Sequence, residues 1–144
     1  MSHSFTSINI HFVFSPLHRS RIDSVDTRKE LNRYIGGICH NLGCVVLASF
    51  VMPDHVHLLV RIPGKLSVSE FIQKIKSNSS RHLNEDPGRV ERFTWQNGYG
   101  AFSCSYSKLE ELKRYIQNQE KHHQSVSHID EYQGFLAKHE IEEE

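Results

Sequence analysis

The chain has 144 residues, of which 38% are hydrophobic and 24% charged, with a formal net charge of zero. That length favours one compact domain, and the composition is that of an ordinary globular protein rather than a disordered or fibrous one. No apolar run approaches the ~20 residues of a membrane helix, Met1 to Ser7 is polar without the apolar centre of a secretory signal, and the three cysteines, Cys39, Cys44 and Cys104, have no metal-ligand or framework spacing.

A cytoplasmic protein with no membrane partner is the expectation. Ile8, Ile10, Phe12 and Phe14 recur at period two and predict a strand with one buried face. Leu31, Tyr34, Ile35 and Ile38 predict a helix over Thr27 to Leu42, ended by Gly43. Cys44 to Val51 is apolar and β-branched. It should form a hairpin with His55 to Ile62 across a turn at Pro53-Asp54. Ser67 or Ser69 can cap a helix running to about Leu83, with Phe71, Ile72 and Ile75 on its apolar side; Ser67 has Glu70 three residues on, a capping box. A polar loop follows from Asn84 to Arg92. Phe93 to Trp95 and Tyr99 to Tyr106 read as strand, broken at Asn97-Gly98. Ser107 is placed to cap a helix from Lys108 to about His123, and a short helix is predicted over Asp130 to Ala137. The order β-α-β-β-α-β-α suits an α+β fold of ferredoxin-like or RRM-like type, an antiparallel sheet with helices packed on one face.

Charge is unevenly distributed. Asp130, Glu131, Glu140, Glu142, Glu143 and Glu144 cluster at the C-terminal end against Lys138 alone, leaving 16 basic against 11 acidic residues over 1–129. A single domain spanning 1–144 with an acidic tail over about 138–144 is expected, and its basic body is compatible with phosphate binding.

On the third strand, successive side chains point to opposite faces, so His55, His57, Leu59 and Arg61 share one face and Val56, Leu58, Val60 and Ile62 the other. The apolar set should face the helices and the histidines the open side of the sheet. Two imidazoles so placed lie roughly 7 Å apart at the backbone, close enough to converge on one metal ion. By itself His-x-His fits two hydrogen-bonded histidines at least as well. On the predicted helix beyond Lys108, Tyr115 and Gln119 are four apart and share a face, beside a packing stripe of Leu109, Leu112 and Ile116. Alone, Tyr115 fits a core-edge tyrosine whose hydroxyl reaches solvent. Together the four residues have a chemical logic. A phenol is a weak nucleophile at neutral pH, its pKa being near ~10, and gains when the phosphate it attacks is polarised by a metal ion. Imidazole and amide ligands with open positions suit Mg²⁺ or Mn²⁺ better than a closed zinc site.

Three ordered motifs carry a family resemblance. Met52-Pro53-Asp54-His55-Val56-His57-Leu58-Leu59-Val60 resembles the HUH motif of single-tyrosine transposases, the TnpA-type enzymes of small insertion sequences, to which the REP-associated tyrosine transposases are close. Trp95-Gln96 with Gly98-Tyr99-Gly100-Ala101-Phe102-Ser103 is similar to the block preceding that family's last helix, and Tyr115 to His123 to its catalytic helix. Ile10 to Ser15 also fits, whereas Pro16-Leu17-His18 stands where the family usually has a Thr-Lys pair. The resemblance spans about Ile8 to the late 130s. It implies that His55, His57 and Gln119 ligate a divalent metal and that Tyr115 attacks the scissile phosphate of single-stranded DNA with hairpin ends, giving a 5′-phosphotyrosine and a free 3′-OH. It further implies a homodimer. Arg19, Arg21, Lys74, Lys76 and Arg81 are candidate phosphate contacts on charge and position. Three other readings share parts of this pattern. One is a host-retained HUH nuclease processing palindromic repeats. Another is a metal-dependent hydrolase using water. The third is a non-catalytic ferredoxin-like nucleic-acid-binding module, which would place aromatic residues on the open sheet face.

Overall fold

The computed structural model describes residues 4–119 and 128–139. Four strands, β1 (Ile8–Phe14), β2 (Val45–Val51), β3 (Val56–Ile62) and β4 (Gly100–Ser103), form one antiparallel sheet in the order β2-β3-β1-β4. The helices are α1 (Val25–Asn41), α2 (Val68–Asn84), α3 (Leu109–Gln117) and α4 (His128–Lys138). With β1-α1-β2 and β3-α2-β4 as its two halves, this is the α+β, ferredoxin-like arrangement expected.

Local chemistry sets the element ends. Ser24 and Ser67 each turn a side-chain oxygen onto the helix that follows, accepting from the backbone N–H of Thr27 at 3.2 Å and of Glu70 at 3.1 Å; each cap is worth about 1 kcal/mol. The Ser24 cap starts α1 at Val25 rather than Thr27. Gly98, at φ +88°, makes the turn into β4 that an L side chain would strain. Of the strand expected over Phe93 to Trp95 and Tyr99 to Tyr106, the structure forms a bridge between Pro16 and Trp95 and the short β4. The last long helix is shorter than the sequence predicts. Tyr106–Lys108 forms a 3-10 turn, α3 begins at Leu109, and Asn118 leaves helical geometry at φ −103°, ψ 20°. The expected helix beyond residue 119 and the acidic tail beyond 139 lie outside the described residues.

The main core is on the face formed by Ile10, Phe12 and Phe14 of β1 and Val56, Leu58, Val60 and Ile62 of β3. It packs against Leu31, Ile35 and Ile38 of α1 and Phe71, Ile72 and Ile75 of α2. The second face, expected to be open, is covered as well. Leu109 and Ile116 of α3 pack on Leu59 and Ala48, and Leu136 of α4 packs on Val13 and Phe102. The physical reason lies in the sequence: Leu59, Ala48, Val13 and Phe102 make that face apolar between its polar residues, and two amphipathic helices remove it from water. Among the described residues, no helix is long and apolar enough to cross a membrane.

Candidate metal centre and tyrosine site

β3 is flanked on both sides by partner strands, so the histidines it carries are held rigidly. His55, at the turn entering the strand, and His57 within it are fully buried under α3 and α4. Glu131, in the first turns of α4, is 6% exposed and brings its carboxylate to both rings, 2.5 Å from His57 Nε2 and 3.7 Å from His55 Nε2. Ligand atoms of His55, His57 and Glu131 all lie within 4.8 Å of one another. Two further contacts orient the rings from behind. Asp54 lies 2.7 Å from His55 Nδ1, and His11 of β1 has its Nε2 2.8 Å from His57 Nδ1.

α3 is anchored through Leu109 and Ile116, which leaves Tyr115 half-buried at the edge of its packing face. The ring centroids of Tyr115 and His57 are 5.9 Å apart at an interplanar angle of 88°. Burial first, then the neighbouring Glu131 carboxylate, pushes the pKa of the phenol upward, while the Gln119 side chain acts the other way. Gln119 is fully buried just past the end of α3. Its Nε2 donates to the Tyr115 carbonyl at 3.3 Å, while its Oε1 has no hydrogen-bond partner. Two imidazoles and a carboxylate in one buried cluster are a donor set suited to a divalent ion, and the Gln119 Oε1 is a further buried oxygen with no partner. The residues present therefore fit a metal, with Glu131 added to the set predicted from sequence.

α4 is held against the sheet by Phe135, which stacks on Phe102 at 5.5 Å and meets His11 edge-on at 4.8 Å, and by His139, whose Nε2 lies 3.2 Å from the Ser103 carbonyl. Between α3, α4 and β4 lies a cleft of about 650 Å³, which reaches Tyr115 and Glu131 and has Lys108 and Lys138 among its lining. Burial holds His11 well below the ordinary imidazole range, with the neighbouring His57 acting in the same direction.

The candidate phosphate contacts lie elsewhere. Arg19 and Arg21 are exposed beyond β1, Arg21 pairing with Asp23 at 2.8 Å. Lys74 and Arg81 are exposed on α2, with Arg81 bonded to Asn78 Oδ1 at 2.6 Å. Lys76 turns inward, donating to the carbonyls of Gln96 at 2.9 Å and Gly98 at 2.5 Å, and partial burial lowers its pKa. Sequence reasoning missed His11 and Glu131. The first could have been found from the period of β1, which puts Asn9, His11 and Val13 on the histidine face; the second sits where the acidic count suggested only a solvated end.

A ferredoxin-like sheet whose central strand presents two buried histidines to a tyrosine-bearing helix defines a single-tyrosine transposase, and comparison with known proteins agrees. Residues 4–119 match the family model described as "Transposase IS200 like", and the chain belongs to that family of DNA-cleaving and strand-transferring enzymes, whose partner is nucleic acid. Over 104 residues it is 29% identical to the transposase for insertion sequence element IS200 of Salmonella typhimurium, covering 69% of this chain and 68% of that protein. It is 23% identical over 117 residues to the ISDra2 transposase TnpA of Deinococcus radiodurans, covering 78% of this chain and 84% of that one. Among solved structures, a transposase crystal structure from Deinococcus radiodurans superposes with a TM-score of 0.66 at 21% identity, covering 83% of this chain and 95% of that one. A REP-associated tyrosine transposase bound to a REP hairpin superposes with a TM-score of 0.65 at 16% identity, covering 94% and 86%.

Proposed function

We propose that the protein cuts and rejoins single-stranded DNA at hairpin-bearing element ends through a covalent bond to Tyr115. The observation that carries this reading is the Tyr115 ring, 5.9 Å from that of His57 and so beside the buried cluster of His55, His57 and Glu131 of the same chain.

Tyr115 Oη attacks the scissile phosphorus. A tyrosyl O–P bond forms, the bond from phosphorus to the 3′ oxygen breaks, and the products are a 5′-phosphotyrosine and a 3′ oxygen that takes a proton from water. The Glu131 carboxylate, whose influence on the phenol pKa marks it as a neighbour, is the acceptor for the phenolic proton. Rejoining is the same exchange run backwards by another 3′-OH, so bond energy is conserved and no external energy source is needed. A divalent ion, Mg²⁺ or Mn²⁺, held by His55, His57, Gln119 and Glu131 supplies Lewis-acid polarisation of the phosphate. Asp54 and His11 orient the two imidazoles. Arg19, Arg21, Lys74 and Arg81 meet phosphates of the hairpin, and Lys76 acts beside them by fixing the 96–98 turn. The molecule works as a homodimer that brings two element ends together.

A non-catalytic RRM-like module is disfavoured because the sheet face on which such modules stack bases is covered by α3 and α4. The test is incubation with labelled single-stranded hairpin oligonucleotides, both from the ends flanking the gene and from palindromic repeats, with Mg²⁺ or Mn²⁺. A denaturation-resistant protein–DNA adduct, absent with EDTA and reduced at least about a thousandfold in Tyr115→Phe, is expected. Cleavage that survives Tyr115→Phe would favour a hydrolase using water, and the oligonucleotide that reacts identifies the substrate class.

A further inference from the structure

His11 lies behind the site and touches none of the reacting groups. Its Nε2 is 2.8 Å from His57 Nδ1, the two rings are nearly parallel at 18°, and both are fully buried. Its other nitrogen, Nδ1, is buried with no hydrogen-bond partner. Two ring nitrogens at that distance share one proton, so the position of the proton on His57 fixes the position on His11. With the Glu131 carboxylate oxygen 2.5 Å from His57 Nε2, that nitrogen carries the ring hydrogen while no cation is bound, and the shared proton then belongs to His11 Nε2. For His57 to offer its Nε2 lone pair to a cation, its proton must move to Nδ1, and His11 must then accept there and carry its own hydrogen on Nδ1.

We propose that His11 is a positioning residue that sets the tautomer of His57, switching between donor and acceptor so that His57 exchanges Glu131 for a divalent cation without losing its second hydrogen bond. His55 has a fixed acceptor, Asp54, behind it and is held as a ligand throughout; His57 has a partner that can play either part. Placing an imidazole rather than a carboxylate at this position also avoids a second buried negative charge beside Glu131. The inference rests on the reading of His55, His57 and Glu131 as a cation site.

Mn²⁺ affinity, measured by titration calorimetry and by the EPR signal of free Mn²⁺, tests it in His11→Leu, which removes both nitrogens, and His11→Gln, whose amide can present either an oxygen or an N–H. Loss of an orienting partner of a metal-bound histidine typically weakens binding about 10–100-fold. That loss is expected in His11→Leu, with recovery to within about threefold of the parent in His11→Gln. Equal affinity in the parent and His11→Leu overturns the role of His11. No binding by the parent, or binding that persists in a His55→Ala/His57→Ala double variant, overturns the cation site itself and this inference with it. Should His11→Leu fail to fold, long-range ¹H–¹⁵N spectra of the unaltered protein decide the matter. His57 is expected to carry its hydrogen on Nε2 without cation and on Nδ1 at saturating Mg²⁺, with His11 changing in step, and unchanged tautomers overturn the proposal.

Discussion

The Glu131 carboxylate lies 2.5 Å from His57 Nε2, and the same carboxylate, after burial, pushes the pKa of the Tyr115 phenol upward. One side chain of α4 thus connects the nucleophile to the metal-binding histidines, and an altered Glu131 should affect both. Glu131→Gln keeps the shape and removes the charge. It is expected to weaken Mn²⁺ binding by at least about tenfold and to lower adduct yield at fixed Mn²⁺, with partial recovery at high Mn²⁺. Calorimetry and a Mn²⁺ titration of adduct formation read both effects; unaltered Mn²⁺ affinity would show that Glu131 only accepts the phenolic proton.

Asp54 presents the opposite balance, half-exposed behind a fully buried ring. Asp54→Ala is expected to leave the melting temperature nearly unchanged while weakening Mn²⁺ binding about 10–100-fold, because the His55 ring loses the acceptor that fixes its orientation. A fall in stability with intact affinity would instead make the contact a structural one.

The position of Tyr115 depends on how α3 seats on the sheet. Leu109, 4% exposed, is one of its two buried anchors. Leu109→Ala should cost about 2–5 kcal/mol in urea unfolding and reduce adduct formation even under conditions where the variant is fully folded. Leu136→Ala loosens α4 in the same way and should impair Mn²⁺ binding along with adduct formation.

Lys76 spans from α2 to the turn ahead of β4, donating to the carbonyls of Gln96 and Gly98. Lys76→Met retains the stem and deletes the ammonium. The expected result is a loss of about 1–3 kcal/mol in stability with DNA affinity reduced less than in Lys74→Met or Arg81→Met, as fluorescence anisotropy at several salt concentrations would show. A larger affinity loss than in those two variants would return Lys76 to the phosphate contacts.

Burial pushes the Cys39 thiol up from about 9 to about 12. The folded state favours the protonated thiol, so its contribution to stability is whole below about pH 9, the unfolded value, and is lost as pH rises through about 12. Denaturant midpoints measured from pH 8 to 11 should therefore fall with pH, and the fall should be shallower in Cys39→Ala. An identical slope in both proteins would assign the alkaline loss to other groups.

Much of this architecture could be read from the chain because its signals are local. The alternation of Val56, Leu58, Val60 and Ile62 against His55, His57 and Leu59 fixes the faces of β3 without knowledge of its neighbours, and of the two serines able to cap α2 it is Ser67, the one with Glu70 three residues on, that does so. The pairing of Tyr115 with His57 came from motif resemblance, and the structure brings them to 5.9 Å. His11 and Glu131 were not legible as site residues. His11 reaches His57 only because β1 and β3 pair in a register that sets Val13 opposite His57 and His11 opposite Leu59. Glu131 reaches it only because Phe135 and Leu136 dock α4 on a face that period two alone leaves looking open.

Covering the sheet on both faces divides the site between two regimes of cooperativity. His57 belongs to a strand whose amides are bonded on both sides, with His55 at its entry, and should open only with the whole molecule, whereas Glu131 belongs to a helix that, among the described residues, docks through Phe135, Leu136 and His139. Detachment of that segment alone leaves the imidazoles in place and strips the carboxylate from both the cation and the phenol. Amide hydrogen exchange should therefore divide the two histidines from the glutamate by orders of magnitude, and the slower set marks the part of the centre that survives every sub-global fluctuation.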